Sequence, residues 1–198
     1  MSEEDAKFTS SLSYWVLDPI DGTTNLLHGY KSVCISLAHI QDGEVDFGIV
    51  HCPNTHEIFY AQKGKGAYWL NGKNERRIFV NADTSLEGSI VCFGCPYDKK
   101  RISFLMKVLE PILEICDDIK RVGPASLDIC YVACGRLSAY MELDLEIWDF
   151  LAGALILKEA GGQVCDFTGK NDLNSKTDII ASNLHLDHEI LQIVNKVI

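Results

Sequence analysis

The segment Trp15-Val16-Leu17-Asp18-Pro19-Ile20-Asp21-Gly22-Thr23-Thr24-Asn25 constrains this chain more than any other. An apolar run passes abruptly into two carboxylates three residues apart, then into a Gly-Thr-Thr-Asn cluster. Tyr14 to Leu17 suits a buried strand. Pro19 cannot donate to a strand ladder and biases Asp18 toward extended geometry, so the strand is expected to stop there. Gly22 permits a tight turn and close approach by a ligand. Thr23, Thr24 and Asn25 are good N-cap types for a following helical turn. Carboxylates at a strand end attract a hard cation such as Mg²⁺. Free N–H groups at a helix start attract phosphate. Both in one loop point to a metal-assisted phosphate site; a bare D-x-x-D-G would equally suit a capped turn with two solvated acids.

At 198 residues the chain can bury one sizeable core, and its 47% hydrophobic content excludes a disordered polypeptide. The formal charge of −10 argues against nonspecific binding to nucleic acid or an anionic membrane. No apolar run reaches membrane-spanning length, and Met1-Ser2-Glu3-Glu4-Asp5 does not read as a signal peptide, so the expected compartment is the cytoplasm. The eight cysteines show no disulfide-scaffold spacing and are read as reduced thiols packed as small hydrophobes. Cys92-Phe93-Gly94-Cys95 lacks the second pair that zinc would need.

After a polar segment over 1–13, an antiparallel meander is expected from 32 to 70, with turns at Asp42-Gly43, Pro53-Asn54-Thr55 and Lys63-Gly64-Lys65-Gly66. The last of these lacks the phosphate-binding G-x-x-x-x-G-K-[ST] pattern and reads as a hairpin turn. Helical periodicity marks 99–116, 126–134, 151–160 and 188–197, and strands are expected at 89–93, 137–143, 164–167 and 178–182. Such an order suggests a layered α/β sandwich.

Two stretches then carry a resemblance. Asp18-Pro19-Ile20-Asp21-Gly22-Thr23-Thr24-Asn25, and Trp148-Asp149-Phe150-Leu151-Ala152-Gly153-Ala154 running on to Glu159-Ala160-Gly161-Gly162, resemble the two signatures of the inositol monophosphatase family. These are Mg²⁺-dependent, Li⁺-sensitive sugar-phosphate phosphatases. Gly64-Lys65-Gly66-Ala67-Tyr68, Asn71-Gly72 and Ala181-Ser182-Asn183 extend the likeness over nearly the whole chain. The resemblance implies an α/β (α+β) fold, a layered αβαβα sandwich in a single domain over 1–198. The family carries two long helices and a strand ahead of a Gly-Glu-Glu element, and this chain begins at its counterpart, Ser2-Glu3-Glu4, so the N-terminal helical layer is expected to be missing.

The resemblance also implies roles. Two or three Mg²⁺ ions would be held by Glu3, Asp18, the Ile20 carbonyl, Asp21 and Asp149. Glu3, Asp18 and Thr23 would be catalytic, the Thr23 hydroxyl positioning the attacking water. Gly22 and Thr23 would hold the phosphate, and Gly123, Ala125, Glu142 and Asp149 the rest of the substrate. Two departures stand out: Pro124, where small hydroxyl residues are usual, and Leu26-Leu27 in place of a usual aromatic. The implied substrate is an inositol or related sugar phosphate, the implied assembly a homodimer without membrane or direct nucleic-acid partners. Fructose-1,6-bisphosphatase, histidinol phosphatase and 3′-phosphoadenosine phosphatase share this metal chemistry. A catalytically impaired interaction protein on the same fold is the reading from another class.

Overall fold

The structure is a computed structural model that describes residues 12–171 and 175–197. It holds two sheets. The first is an antiparallel meander of β1 (Ser13–Asp21), β2 (Cys34–Gln41), β3 (Glu44–Cys52), β4 (Glu57–Gln62), β5 (Gly66–Asn71) and β6 (Asn74–Ile78), paired in sequence order. The second takes β7 (Ile90–Phe93), β8 (Asp118–Lys120), β9 (Ala139–Leu145), β10 (Gln163–Cys165) and β11 (Thr177–Ser182) in the order β10-β11-β9-β7-β8. In it β7 runs parallel to β8 and β9, and the other pairs are antiparallel. The helices are α1 (Thr23–Leu27), α2 (Ile102–Ile115), α3 (Ala125–Ala133), α4 (Ile147–Glu159) and α5 (Asp187–Val197).

Alternation along the strands sorts side chains into layers. Between the sheets, Val16, Ala38, Val50 and Phe59 of the first meet Cys92, Tyr140, Ile179 and Ala181 of the second around α3 and α4. The neighbours Val91, Met141 and Ile180 point the other way, onto α2 and α5. The order is therefore sheet, helices, sheet, helices, the mixed α/β sandwich that the resemblance implied. Fully buried Phe59 and Phe150 each contribute roughly 1.5–3 kcal/mol to the inner core. Helix α4 crosses the first sheet so closely that a Cβ at Gly48 would lie 2.8 Å from the Ala152 carbonyl oxygen. The outer face of that sheet is also apolar: Leu17, Leu37, Ile49, Tyr60 and Tyr68 form one row across five strands, all half-buried.

Several expectations need correction. β1 does not stop at Pro19 but continues to Asp21. Among the described residues it has β2 as its one sheet neighbour, and its register shifts between Asp18 and Asp21, so no ladder bond is asked of the proline there. β1 also begins at Ser13, inside the stretch expected to carry no element, while residues 1–11 lie outside the described residues. β6 and β8 were not anticipated. Residues 99–101 form a 3₁₀ turn ahead of α2 rather than part of it, and Pro111 sits inside α2. No helix among the described residues is long and apolar enough to cross a membrane.

Candidate metal centre

In a regular strand, residues three apart point to opposite faces. Asp18 and Asp21 nevertheless both point inward, 2% and 8% exposed. The cause is a bulge. Asp18 pairs with Ser36 and Asp21 with Cys34, so three steps on β1 match two on β2. The extra residue turns the second carboxylate onto the face of the first. Asp18 is fixed further by the Ile20 amide, which donates to its Oδ1 at 2.9 Å.

The third acid arrives from far along the chain. Asp149 is the third residue of α4, and its Oδ2 accepts from the Glu146 amide at 2.8 Å, half of a capping box. The Ser36 hydroxyl donates to the Trp148 carbonyl at 3.2 Å and ties this helix start to β2. One carboxylate oxygen each from Asp18, Asp21 and Asp149 then lie within 4.8 Å of one another.

The adjoining turn is equally constrained. Gly22 has φ +92°, and a Cβ there would come within 2.9 Å of the Pro124 ring. The Gly22 turn therefore lies directly against the Gly123-Pro124-Ala125 turn. The Thr23 hydroxyl donates to the Ile20 carbonyl at 3.0 Å, so these two expected site residues are already in contact. Ala125 is buried at the start of α3. Gly123 donates its amide to Asp128 Oδ2 at 3.3 Å. Glu142, on β9, takes a hydrogen bond from the Tyr140 hydroxyl and fills the space a side chain at Gly94 would need. Burial first, then the charges of Asp21, Asp149 and Asp128, push the Glu142 carboxyl up to about 8, against the pull of Tyr140. Glu142 thus shares an electrostatic environment with the cluster. Glu3 lies outside the described residues.

Three residues here were not singled out from the sequence. Ser126 binds Asp21 through both its amide and its hydroxyl. Asp128 has no exposed surface. Cys34 lies beside both Ser126 and Asp21. Sequence pattern gave Ser126 only as a helix starter and Cys34 only as core. All eight cysteines are free, six of them buried, as expected of packed thiols.

The donor set fits a hard cation. It offers carboxylate oxygens from two buried acids and one half-buried acid. Like charges this close in a buried setting repel strongly, and a cation among them relieves that cost.

The comparisons agree with this geometry. The chain is 36% identical over 195 residues to a Thermotoga maritima protein named fructose-1,6-bisphosphatase/inositol-1-monophosphatase, covering 98% of this chain and 73% of that one. It is 37% identical over 187 residues to the Nus factor SuhB of Xylella fastidiosa, covering 91% and 66%. The crystal structure of the extragenic suppressor protein suhB from Bartonella henselae superposes with a TM-score of 0.92 at 35% identity, over 100% of this chain and 76% of that one. The chain therefore spans about two thirds to three quarters of the length of these relatives. The family model described as the inositol monophosphatase family matches residues 1–198. With an acid cluster built from both signatures on this shared fold, the chain belongs to the inositol monophosphatase family, within the sugar-phosphatase superfamily.

Proposed function

We propose that the chain hydrolyses a phosphate monoester of inositol or a related sugar in a Mg²⁺-dependent reaction in the cytoplasm. The observation that carries this reading is the convergence of Asp18, Asp21 and Asp149 beside the Gly22 turn. Asp18, Asp21, Asp149 and the Ile20 carbonyl would hold the metal, with Glu3 as a further ligand. Bound there, Mg²⁺ supplies an acidified water and positive charge against phosphate oxygens. The chain's own groups do the positioning. Amides of Gly22 and Thr23 hold the phosphate, and the Thr23 hydroxyl orients the water. Glu142 and Asp149 receive sugar hydroxyls, and the turn at Gly123 and Ala125 closes the substrate side. Because both acids of β1 and the start of α4 are fixed by hydrogen bonds, little reorganisation is needed during the reaction.

The test is phosphate release from inositol 1-phosphate with and without Mg²⁺, then with Li⁺. Wild type should turn over only with Mg²⁺ and be inhibited by Li⁺. Asp21→Asn and Asp149→Asn should each lose more than the roughly 10–100-fold that outer-shell changes cost. Robust turnover by either variant would rule out the metal assignment. A panel with fructose 1,6-bisphosphate, histidinol phosphate and 3′-phosphoadenosine phosphate separates the related activities. A second reading, an interaction protein on the same fold, draws on the Nus factor name of the Xylella relative. It predicts no Mg²⁺-dependent phosphate release by wild type and a stable protein partner.

A further inference from the structure

The structure assigns Ser126 the part of a positioning residue that fixes the Asp21 carboxylate for metal binding. This rests on the metal reading above. Ser126 is the second residue of α3 and has no exposed surface. Its amide donates to Asp21 Oδ2 at 2.9 Å and its hydroxyl donates to the same oxygen at 2.6 Å. Two donors on one oxygen hold the carboxylate in one orientation. The amide is one of the N–H groups that a helix start leaves without an intrahelical partner, and Pro124 at the N-cap has no side-chain cap to offer. Asp21 thus completes the start of α3 while α3 orients Asp21.

The hydroxyl has an outer partner as well. Cys34 Sγ lies 3.1 Å from Ser126 Oγ. A serine hydroxyl carries one proton, and a carboxylate can only accept. With that proton on Asp21, the Cys34 thiol is the donor to Ser126. The relay therefore runs from Cys34 S–H to Ser126 Oγ, with Asp21 Oδ2 a longer second acceptor of the thiol at 3.9 Å, and from Ser126 O–H to Asp21 Oδ2. Cys34 is also the β2 residue opposite Asp21 in the bulged register. Ligand, bulge and helix start thus form one hydrogen-bonded unit.

The experiment titrates Mg²⁺ calorimetrically into wild type, Ser126→Ala, Ser126→Thr, Cys34→Ala and Asp21→Asn, with KM and kcat measured on the same preparations. Ser126→Ala keeps the helix amide and loses the hydroxyl. It should bind Mg²⁺ about 10–100-fold more weakly, the range for outer-shell partners. Ser126→Thr, which restores a hydroxyl, should recover affinity. Cys34→Ala should weaken binding less than Ser126→Ala does, because the inner bond survives. KM for the ester should move less than the Mg²⁺ affinity. Wild-type affinity in Ser126→Ala, together with loss of binding in Asp21→Asn, would overturn the positioning role and leave the metal reading standing. Absence of Mg²⁺ binding by wild type would overturn both.

Discussion

Asp128 lies on α3 with no exposed surface, and its Oδ1 has no hydrogen-bond partner among the described residues. Burial pushes its carboxyl up to about 7; the Asp21 charge adds to the rise, while the Gly123 amide, the Cys92 thiol and Arg121 pull the other way. In the unfolded chain it titrates near the ordinary value of 3.8. Between these values the folded state holds a proton that the unfolded chain has released. Stability from this group is therefore complete below pH 3.8 and is lost as the pH rises through about 7. Glu142, raised to about 8, extends the same trend. Thermal melts in EDTA should fall steadily from pH 5 to pH 8, and Asp128→Asn should remove part of that slope. An unchanged slope in the variant would show that Asp128 is ionised throughout. The same residue also braces the substrate turn, since its other oxygen holds the Gly123 amide. The orphaned oxygen is thus a stability cost borne at the edge of the site.

At the scale of elements, the turn between β4 and β5 illustrates what periodicity can and cannot give. The turn at Lys63 to Gly66 is a hairpin turn, as its pattern implied, yet its amides do bind an anion. Gly64 and Gly66 donate at 2.7 and 2.8 Å to the two carboxylate oxygens of Glu159, at the end of α4. Glu159 belongs to the second signature, so one segment both closes the metal cluster and pins the meander. Glu159→Ala should cost about 1–2 kcal/mol, modest for two charge-assisted bonds at a half-exposed group. Urea denaturation measures this, and no change in midpoint would count against the tie. The elements legible in the sequence are those whose apolar residues repeat, such as β2 to β5, α2 and α5. β6 escaped notice because Asn74-Glu75-Arg76-Arg77 is an exposed charged edge without alternation, and only its pairing with β5 makes it a strand. β8 is three residues long and exists through its parallel pairing with β7. In the site, residue type and spacing picked out Asp18, Asp21 and the Gly22 turn. Asp149 entered through the second signature, because no local pattern says that a helix start will meet a bulge more than a hundred residues away. Ser126 was invisible for the same reason: a serine that opens a helix reads identically whether or not a carboxylate lies opposite.

For the whole molecule, the cluster is one of the places where the first sheet and the helix layer meet. Asp18 and Asp21 lie at the edge of the first sheet, Asp149 in the layer between the sheets, and Asp21 is held by α3. Without a cation, three acids within 4.8 Å work against that assembly. With one, the same acids bolt sheet to helix. The two states therefore predict opposite effects for one substitution. Asp21→Asn keeps an oxygen to accept from Ser126 and removes one charge from the cluster. In EDTA the variant should melt above wild type by a few degrees, because a kcal/mol of relief is worth about 2–4 °C in a chain of this size. With Mg²⁺ at a hundred times its Kd, wild type should gain about 2.7 kcal/mol, because only the folded state binds. That corresponds to a rise of roughly 5–10 °C. Asp21→Asn, lacking a ligand, should gain little. The two melting curves should thus exchange order when Mg²⁺ is added. If Asp21→Asn melts below wild type in both conditions, the cluster is not repulsive when metal-free. If Mg²⁺ raises both proteins equally, it is bound elsewhere. The exchange of order, if found, would show that this fold keeps a destabilising group of acids whose cost is offset only when the metal arrives.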